Sequence, residues 1–250
     1  MSGPLPKHKW METEDGSLTL YSEEFGEACH SSSGAKSETL LHYIRGCKVQ
    51  ERVQDHHPFV ILEVGFGTGL GFETTQEVLE DSPHKWHFIS LELDRDLVEH
   101  WRQKNPQMNW RNEFICEGSF GNSTLSLVVG DARLMLPQYL KLYSIQFHAI
   151  YQDAFSPKRN PTLWTKEWFE LLKSFSSSDV ILSTYSSSSS IRKSLHEVGW
   201  ILKKGDKFGP KRSSTRAYLK GISDEEILLH LSRSPVDALS DGNLIDYLKK

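Results

Sequence analysis

The stretch ILEVGFGTGLGFETT, residues 61–75, decides how this chain folds. An apolar run carries the acid Glu63 near its end, and glycines then stand at every second position: Gly65, Gly67, Gly69 and Gly71. The run reads as a buried strand and the residues beyond as a helix, so the first glycines occupy the turn between them. Lacking Cβ atoms, such a turn takes positive φ and lets a flat or charged ligand lie against the backbone. In open parallel sheets this turn sits at the carboxyl edge, where ligands bind. Nicotinamide folds space their glycines as GxGxxG to seat a pyrophosphate on a helix N-terminus. Here the pattern is E-x-G-x-G-x-G, which favours a ligand without phosphate. S-adenosylmethionine, with a sulfonium, an amino group and a carboxylate, meets that description.

Outward from this stretch the pattern repeats. Short apolar runs follow one another: FVILEV, HFISLEL, LSLVVG, FHAIYQ and DVILSTYS. Near-continuous apolarity marks strands buried on both faces of a parallel sheet. Helical segments fill the gaps at 69–79, 95–104, 132–139, 166–175 and 189–198, and the pieces WILKKGDKFG and TRAYLKG read as a closing antiparallel pair. The fold class is therefore α/β with a doubly wound sheet. Residues 1–57 read as an N-terminal extension, with a strand-like SLTLYS and a helix SETLLHYIRGC whose apolar face is Leu40, Leu41 and Ile44. Residues 58–220 form the main domain, and 221–250 a charged tail of short helices. Serine clusters at 176–178 and 186–190 fall at element boundaries, where hydroxyls cap free backbone groups.

Three strand ends carry acids. Glu63 is placed to hold the donor's ammonium; Glu92, with Asp94 as competitor, to accept from the ribose hydroxyls; and Asp131 to accept from the adenine amino group. Gly65, Phe66, Gly67 and Gly69 complete the expected cofactor set. After the fourth strand comes YQDAFSPKRNPTLW, in which Asp153 follows directly and Pro157 and Pro161 stiffen the loop. A rigid loop at this edge positions reacting groups. Methyl transfer to an amine needs a free lone pair, and Asp153 is placed to accept the amine's N–H bonds and stabilise charge growing on nitrogen. Phe155 and Trp164 are candidates to flank a flat base, core packing explaining Trp164 about as well, with Lys158 and Asn160 on the same loop.

Composition excludes several classes. At 38% hydrophobic residues the chain is too apolar to be disordered. No apolar run approaches the roughly 20 residues that span a bilayer, and MSGPLPKHKW is not a secretory signal, so a cytoplasmic protein without membrane contact is expected. Cys29, Cys47 and Cys116 make no close pair, and the histidines include no HExxH, which argues against a disulfide framework and a metal site. The net charge of -4 hides a basic strip, Lys203, Lys204, Lys207, Lys211, Arg212, Arg216 and Lys220, opposed locally only by Asp206. It reads as a solvated hairpin or as a phosphate-contacting edge.

LYSEEFGEACHSS, EVGFGTGLGF, HFISLE, GDAR, DAFSPKRNPTLWT and KFGPKR together resemble the methyltransferase domain of the MnmC family over roughly residues 16–220. The resemblance implies a class I fold with a seven-strand sheet, S-adenosylmethionine as donor, and as acceptor the amine of 5-aminomethyl-(2-thio)uridine at the tRNA wobble position. It makes Asp153 the catalytic residue and Glu63, Gly65, Gly67, Glu92 and Asp131 the cofactor site. Tyr21, His30 and Glu38 match the N-terminal stretch, with Tyr21 counted among the acceptor-binding residues. The family's bifunctional members carry an FAD-dependent oxidase domain for which these 250 residues have no room, so a stand-alone enzyme without FAD is expected, with a separate enzyme supplying the aminomethyl group. The basic strip then becomes an anticodon stem-loop contact, in which Lys158, Arg159, Lys207, Lys211 and Arg212 face phosphates. Two other readings are a small-molecule amine methyltransferase or aminopropyltransferase, and a non-catalytic module of the same fold.

Overall fold

The computed structural model describes residues 8–208 and 213–249. The chain opens with a small antiparallel sheet of β1 (His8–Glu12), β2 (Leu18–Ser22) and β3 (Glu27–Ala28). Helix α1 (Ala35–Thr39) runs straight into a wider i→i+5 turn over Leu40–Ile44, followed by α2 (Val49–Arg52). The main sheet then begins: β4 (Phe59–Val64), α3 (Leu70–Val78), β5 (Trp86–Glu92), α4 (Arg95–Lys104), β6 (Asn109–Trp110), β7 (Ile115–Phe120) and β8 (Ser123–Val129). Its second half is α5 (Ala132–Leu142), β9 (Phe147–Gln152), α6 (Lys166–Ser174), β10 (Ser176–Thr184), α7 (Ser189–Glu197), β11 (Ile201–Gly205) and β12 (Ser214–Tyr218), before α8 (Glu225–Arg233) and α9 (Leu244–Leu248).

The sheet order is β11-β12-β10-β9-β4-β5-β8-β7-β6. The five apolar runs are mutually parallel, β4 pairing with β5 and β9, β5 with β8, and β9 with β10. β12 lies antiparallel between β10 and β11, which is the closing pair expected from the sequence. The expected seven strands are present, but the sheet has nine. A second antiparallel pair, β7 with β6, extends the far edge beyond β8. The two-residue β6 is too short for an alternation pattern to reveal.

Every residue of β4 and β9 is buried, as strands covered on both faces must be. Alternate residues of β4 serve opposite layers. Val60, Leu62 and Val64 join Trp164, Trp168, Phe169 and Trp200 on one face, while Phe59 and Ile61 join Tyr43, Phe72, Phe88 and Trp101 on the other. Each fully buried large side chain contributes about 1.5–3 kcal/mol. The tail belongs to the first layer, because Ile227, Leu231 and Leu239 are core residues there and the Arg133 guanidinium forks onto Asp241.

One expectation about the N-terminal segment needs correction. Ile44 is buried as expected and Leu40 packs at the edge of the core, but Leu40 and Leu41 are only half-buried, and His42 and Tyr43 join Ile44 on the inward face. The wider turn, closed by Arg45 N–H on the Leu40 carbonyl, winds less per residue, so the side chains after Leu40 fall behind the positions a 3.6-residue period predicts.

Candidate active site

The parallel register Val64↔Gln152 between β4 and β9 sets Gly65 and Asp153 side by side at the carboxyl edge. Connections leave these strands toward opposite ends of the sheet, so a crevice opens between them. A cavity of about 560 Å³ fills it, within the size range of small-molecule sites. Glu63, Gly65, Phe66, Gly67, Glu92, Asp131, Asp153, Phe155 and Asn160 all line it. Two segments 88 positions apart in sequence are thus brought to one cleft. Gly65 has φ +104°, and a Cβ there would stand 3.0 Å from the Asp153 carbonyl oxygen, so a side chain would be both strained and crowded.

Glu63 is 3% exposed. Ser90, opposite it in the β4–β5 register, donates to its Oε2 at 2.6 Å, and Gly71 makes room for the other oxygen: a Cβ there would overlap Glu63 Oε1. Burial pushes this carboxyl well above its ordinary range, and the nearby Asp153 and Glu92 push in the same direction against the Ser90 hydrogen bond. Glu92 accepts from the Gly67 N–H at 2.9 Å and the Asp94 N–H at 2.8 Å, tying the second strand to the glycine turn. Burial raises its pKa as well. Asp131 caps α5 by accepting from Arg133 N–H, and Asp94 caps α4 in the same manner while His8 Nε2 lies 2.9 Å from its other oxygen. Capping uses part of a carboxylate's acceptor capacity, since its two oxygens offer about four lone-pair sites.

A pocket lined by seven acids beside Val64, Leu91, Leu93 and Leu97 suits a ligand with a cationic centre and a flat apolar part. The chemistry of S-adenosylmethionine fits these residues. Among the described residues no cluster of three or more His, Cys, Asp and Glu side chains is arranged for a metal.

The N-terminal segment roofs the cavity, and sequence reasoning missed this. His8, Ser22, Glu24, Phe25, Cys29 and His30 all line it. Phe25 stacks on Phe155 with ring centroids 4.4 Å apart, and Glu27 accepts from Ser156 N–H at 2.9 Å. Burial, with Glu92 and Asp153 adding repulsion, pushes the Cys29 thiol up to about 12, so it is no nucleophile at neutral pH. The aromatic in SEEFGE, beside the turn residue Gly26, was the available signal. Beneath the cavity Tyr43 donates to Asp153 Oδ1 at 2.5 Å.

Several expected residues lie elsewhere. Trp164 is wholly buried in the core; its indole N–H donates to the Phe155 carbonyl at 2.8 Å, so it props the loop and cannot flank a base. Gly69 faces Trp101, which a Cβ would meet at 2.5 Å, and starts α3 outside the lining. Tyr21 is half-buried on β2, turned from the cavity by strand alternation while its neighbour Ser22 lines it. Lys158 and Arg159 are exposed beyond the rim, the Arg159 guanidinium packing by Gly26. Glu38 anchors the roof by accepting from Ser31 N–H, and His30 Nδ1 pairs with Thr19 Oγ1. The basic strip is less free than its local sequence implies, because α8 brings Asp224 to Lys203 and Glu226 to Lys204, while Arg216 pairs with Asp206. Lys211 and Arg212 lie outside the described residues. Among the described residues no helix is long and apolar enough to cross a membrane.

Comparison with known proteins agrees with this geometry. Residues 94–220, just over half of the chain, match a family model described as S-adenosyl-L-methionine-dependent methyltransferase. A tRNA 5-methylaminomethyl-2-thiouridine biosynthesis bifunctional protein MnmC from Burkholderia mallei (strain SAVP1) is 30% identical over 230 residues, covering 80% of this chain and 33% of that protein. The protein of the same name from Azoarcus sp. (strain BH72) is 32% identical, covering 83% and 35%. The crystal structure of MNMC2 from Aquifex aeolicus superposes with a TM-score of 0.78 at 29% identity, covering 99% of this chain and 85% of that one. The chain spans about a third of the length of the curated relatives it matches. It belongs to the S-adenosyl-L-methionine-dependent methyltransferase family, with a class I fold.

Proposed function

We propose that this methyltransferase converts 5-aminomethyl-(2-thio)uridine to 5-methylaminomethyl-(2-thio)uridine at the wobble position of tRNA. The observation that carries the reading is the meeting of Asp153 and the glycine turn in one cleft, with the Gly65 backbone and the Asp153 backbone in near contact. The names of the MnmC relatives supply the substrate class.

S-adenosylmethionine, when bound, supplies a methyl group on a positively charged sulfur. Glu63 would hold its ammonium, Glu92 its ribose hydroxyls and Asp131 its adenine, and Gly65, Phe66 and Gly67 would leave room for it against the backbone. Asp153 takes up N–H bonds of the incoming amine and orients its lone pair toward the methyl carbon. The carboxylate would also stabilise the positive charge that nitrogen acquires as its lone pair bonds the methyl carbon and the carbon–sulfur electron pair stays with sulfur, leaving a neutral thioether; the surplus proton on nitrogen then passes to solvent. The stacked Phe25 and Phe155 offer a ring face to the extruded base, and Asn160 a polar contact at the same wall. Lys158, Arg159 and Lys207, joined by Lys211 and Arg212, contact phosphates of the anticodon stem-loop. A separate enzyme activity, or a further domain, supplies the aminomethyl group.

The test is incubation of the protein with labelled methyl donor and undermodified tRNA that carries the aminomethyl group, followed by nucleoside analysis. Label in the wobble nucleoside is the expected result. Label in free amines with none in tRNA would replace this reading with a small-molecule methyltransferase.

A further inference from the structure

We infer that Tyr43 is the positioning residue of the catalytic carboxylate, fixing the direction of Asp153 through a buried phenol hydrogen bond. The inference deepens the proposed function and rests on it for its kinetic consequence. The phenol donates to Asp153 Oδ1 at 2.5 Å across 110 residues of sequence, within the short range typical of O–H donors to carboxylates.

Three features fix this tyrosine. It sits in the wide turn Leu40–Ile44, a helical irregularity of the kind found at functional sites. Ser183 on β10 donates to the carbonyl of His42, the residue before it, so the turn is pinned to the sheet. The Tyr43 ring stacks on Tyr151 of β9 at 5.4 Å, and the residue is 2% exposed. Burial and the neighbouring Asp153 charge hold its phenol protonated far beyond neutral pH. A tyrosine that never ionises is a permanent donor. A hydrogen bond to the ionised form of an acid favours that form. Titratable groups facing Asp153 beside Tyr43 are Glu63 on β4, the Cys29 thiol on the roof and the Tyr185 phenol after β10.

The experiment uses the full chain with carboxyl-labelled aspartate and follows the Asp153 carbon by NMR as a function of pH, without donor or tRNA. Tyr43→Phe removes only the hydroxyl and is expected to move the Asp153 titration about one pH unit upward, the equivalent of a charge-assisted bond. Tyr151→Phe, which removes the neighbouring buried hydroxyl, is expected to leave it in place. In the methylation assay the acid limb of kcat should shift upward in parallel in Tyr43→Phe, with kcat about tenfold lower and donor affinity by calorimetry within twofold. A second measurement needs no folded tyrosine variant: the Tyr43 hydroxyl proton should give a slowly exchanging downfield resonance in the wild type that is lost in Asp153→Ala. An Asp153 titration unmoved in Tyr43→Phe, or a hydroxyl resonance indifferent to Asp153→Ala, overturns the inference. A shifted titration in a protein that methylates no tRNA would leave the positioning role standing and remove the substrate assignment instead.

Discussion

The floor of the cavity, from Glu63 to Gly67 and at Asp153, is made of residues that end β4 and β9 or follow them directly. Its roof, from Ser22 to His30, hangs from a three-stranded sheet held to the body by side-chain bonds: His8 to Asp94, Glu27 to Ser156 N–H, and Phe25 against Phe155. Backbone register leaves the floor one arrangement, since a slip of one residue would turn every β4 side chain to the other layer. The roof contacts are few and lie between pieces far apart in the chain. Under the proposed function the floor serves the methyl donor and the reacting amine, and the roof the rest of the acceptor.

That division predicts different losses on the two sides. The largest is expected at the floor, where Asp153→Ala should lower methylation about 10³-fold, within the range for general acid–base and electrostatic groups. Donor affinity should stay within a few-fold, because Glu63, Glu92 and Asp131 remain. Comparing single-turnover rates with calorimetric donor binding checks both halves. Undiminished turnover would remove Asp153 from the chemistry, and loss of donor binding would show that floor and acceptor chemistry are not separable.

The same division explains what the sequence disclosed. Glu63, Gly65, Gly67, Glu92, Asp131 and Asp153 were legible because each stands at the end of an apolar run, and strand ends in a parallel sheet converge on one edge. The helix over 95–104 matched because Asp94 caps it and apolar residues recur at helical spacing. Trp164 misled because an aromatic beside a catalytic loop reads the same whether it faces ligand or core; only its buried bond to the Phe155 carbonyl decides. Tyr43 was hidden by the wide turn, which brings it to the inner face although a 3.6-residue period selects Leu40, Leu41 and Ile44. The partners of Lys203 and Lys204 were hidden because α8 returns from beyond the strip.

A smaller effect is expected from the roof. Phe25→Ala removes one ring of the stacked pair while leaving every floor residue in place. An aromatic pair contributes about 0.5–1.5 kcal/mol beyond its area, and a base that loses its stacking surface loses about 1–3 kcal/mol. The KM for tRNA should therefore rise about tenfold, with single-turnover rate at saturating tRNA and donor affinity both near wild type. Loss of donor affinity of the same size would mean that the roof also closes over the donor, and the division would fail.

The smallest effect concerns Glu63 and sharpens the floor from within. Its folded pKa is raised, so between the unfolded value of about 4.3 and that raised value the folded protein holds a proton that the unfolded chain has released. The carboxyl's contribution to stability is thus greatest at low pH and declines as pH rises through that window. Glu63→Gln cannot release this proton. The melting temperature of the variant relative to wild type should rise from pH 5 to pH 8, by roughly 2–4 °C for each kcal/mol of the effect, while Glu92, raised in both proteins, cancels in the difference. An ammonium placed against Glu63 would reverse the balance by favouring the ionised carboxyl, so donor binding to the wild type within that window should expel a proton. Calorimetry in buffers of different ionisation enthalpy detects that proton, and it should be missing in Glu63→Gln. Equal proton release in the two proteins would take Glu63 away from the donor's ammonium and leave it a structural acid, seated between Ser90 and Gly71 to hold the first strand against the second.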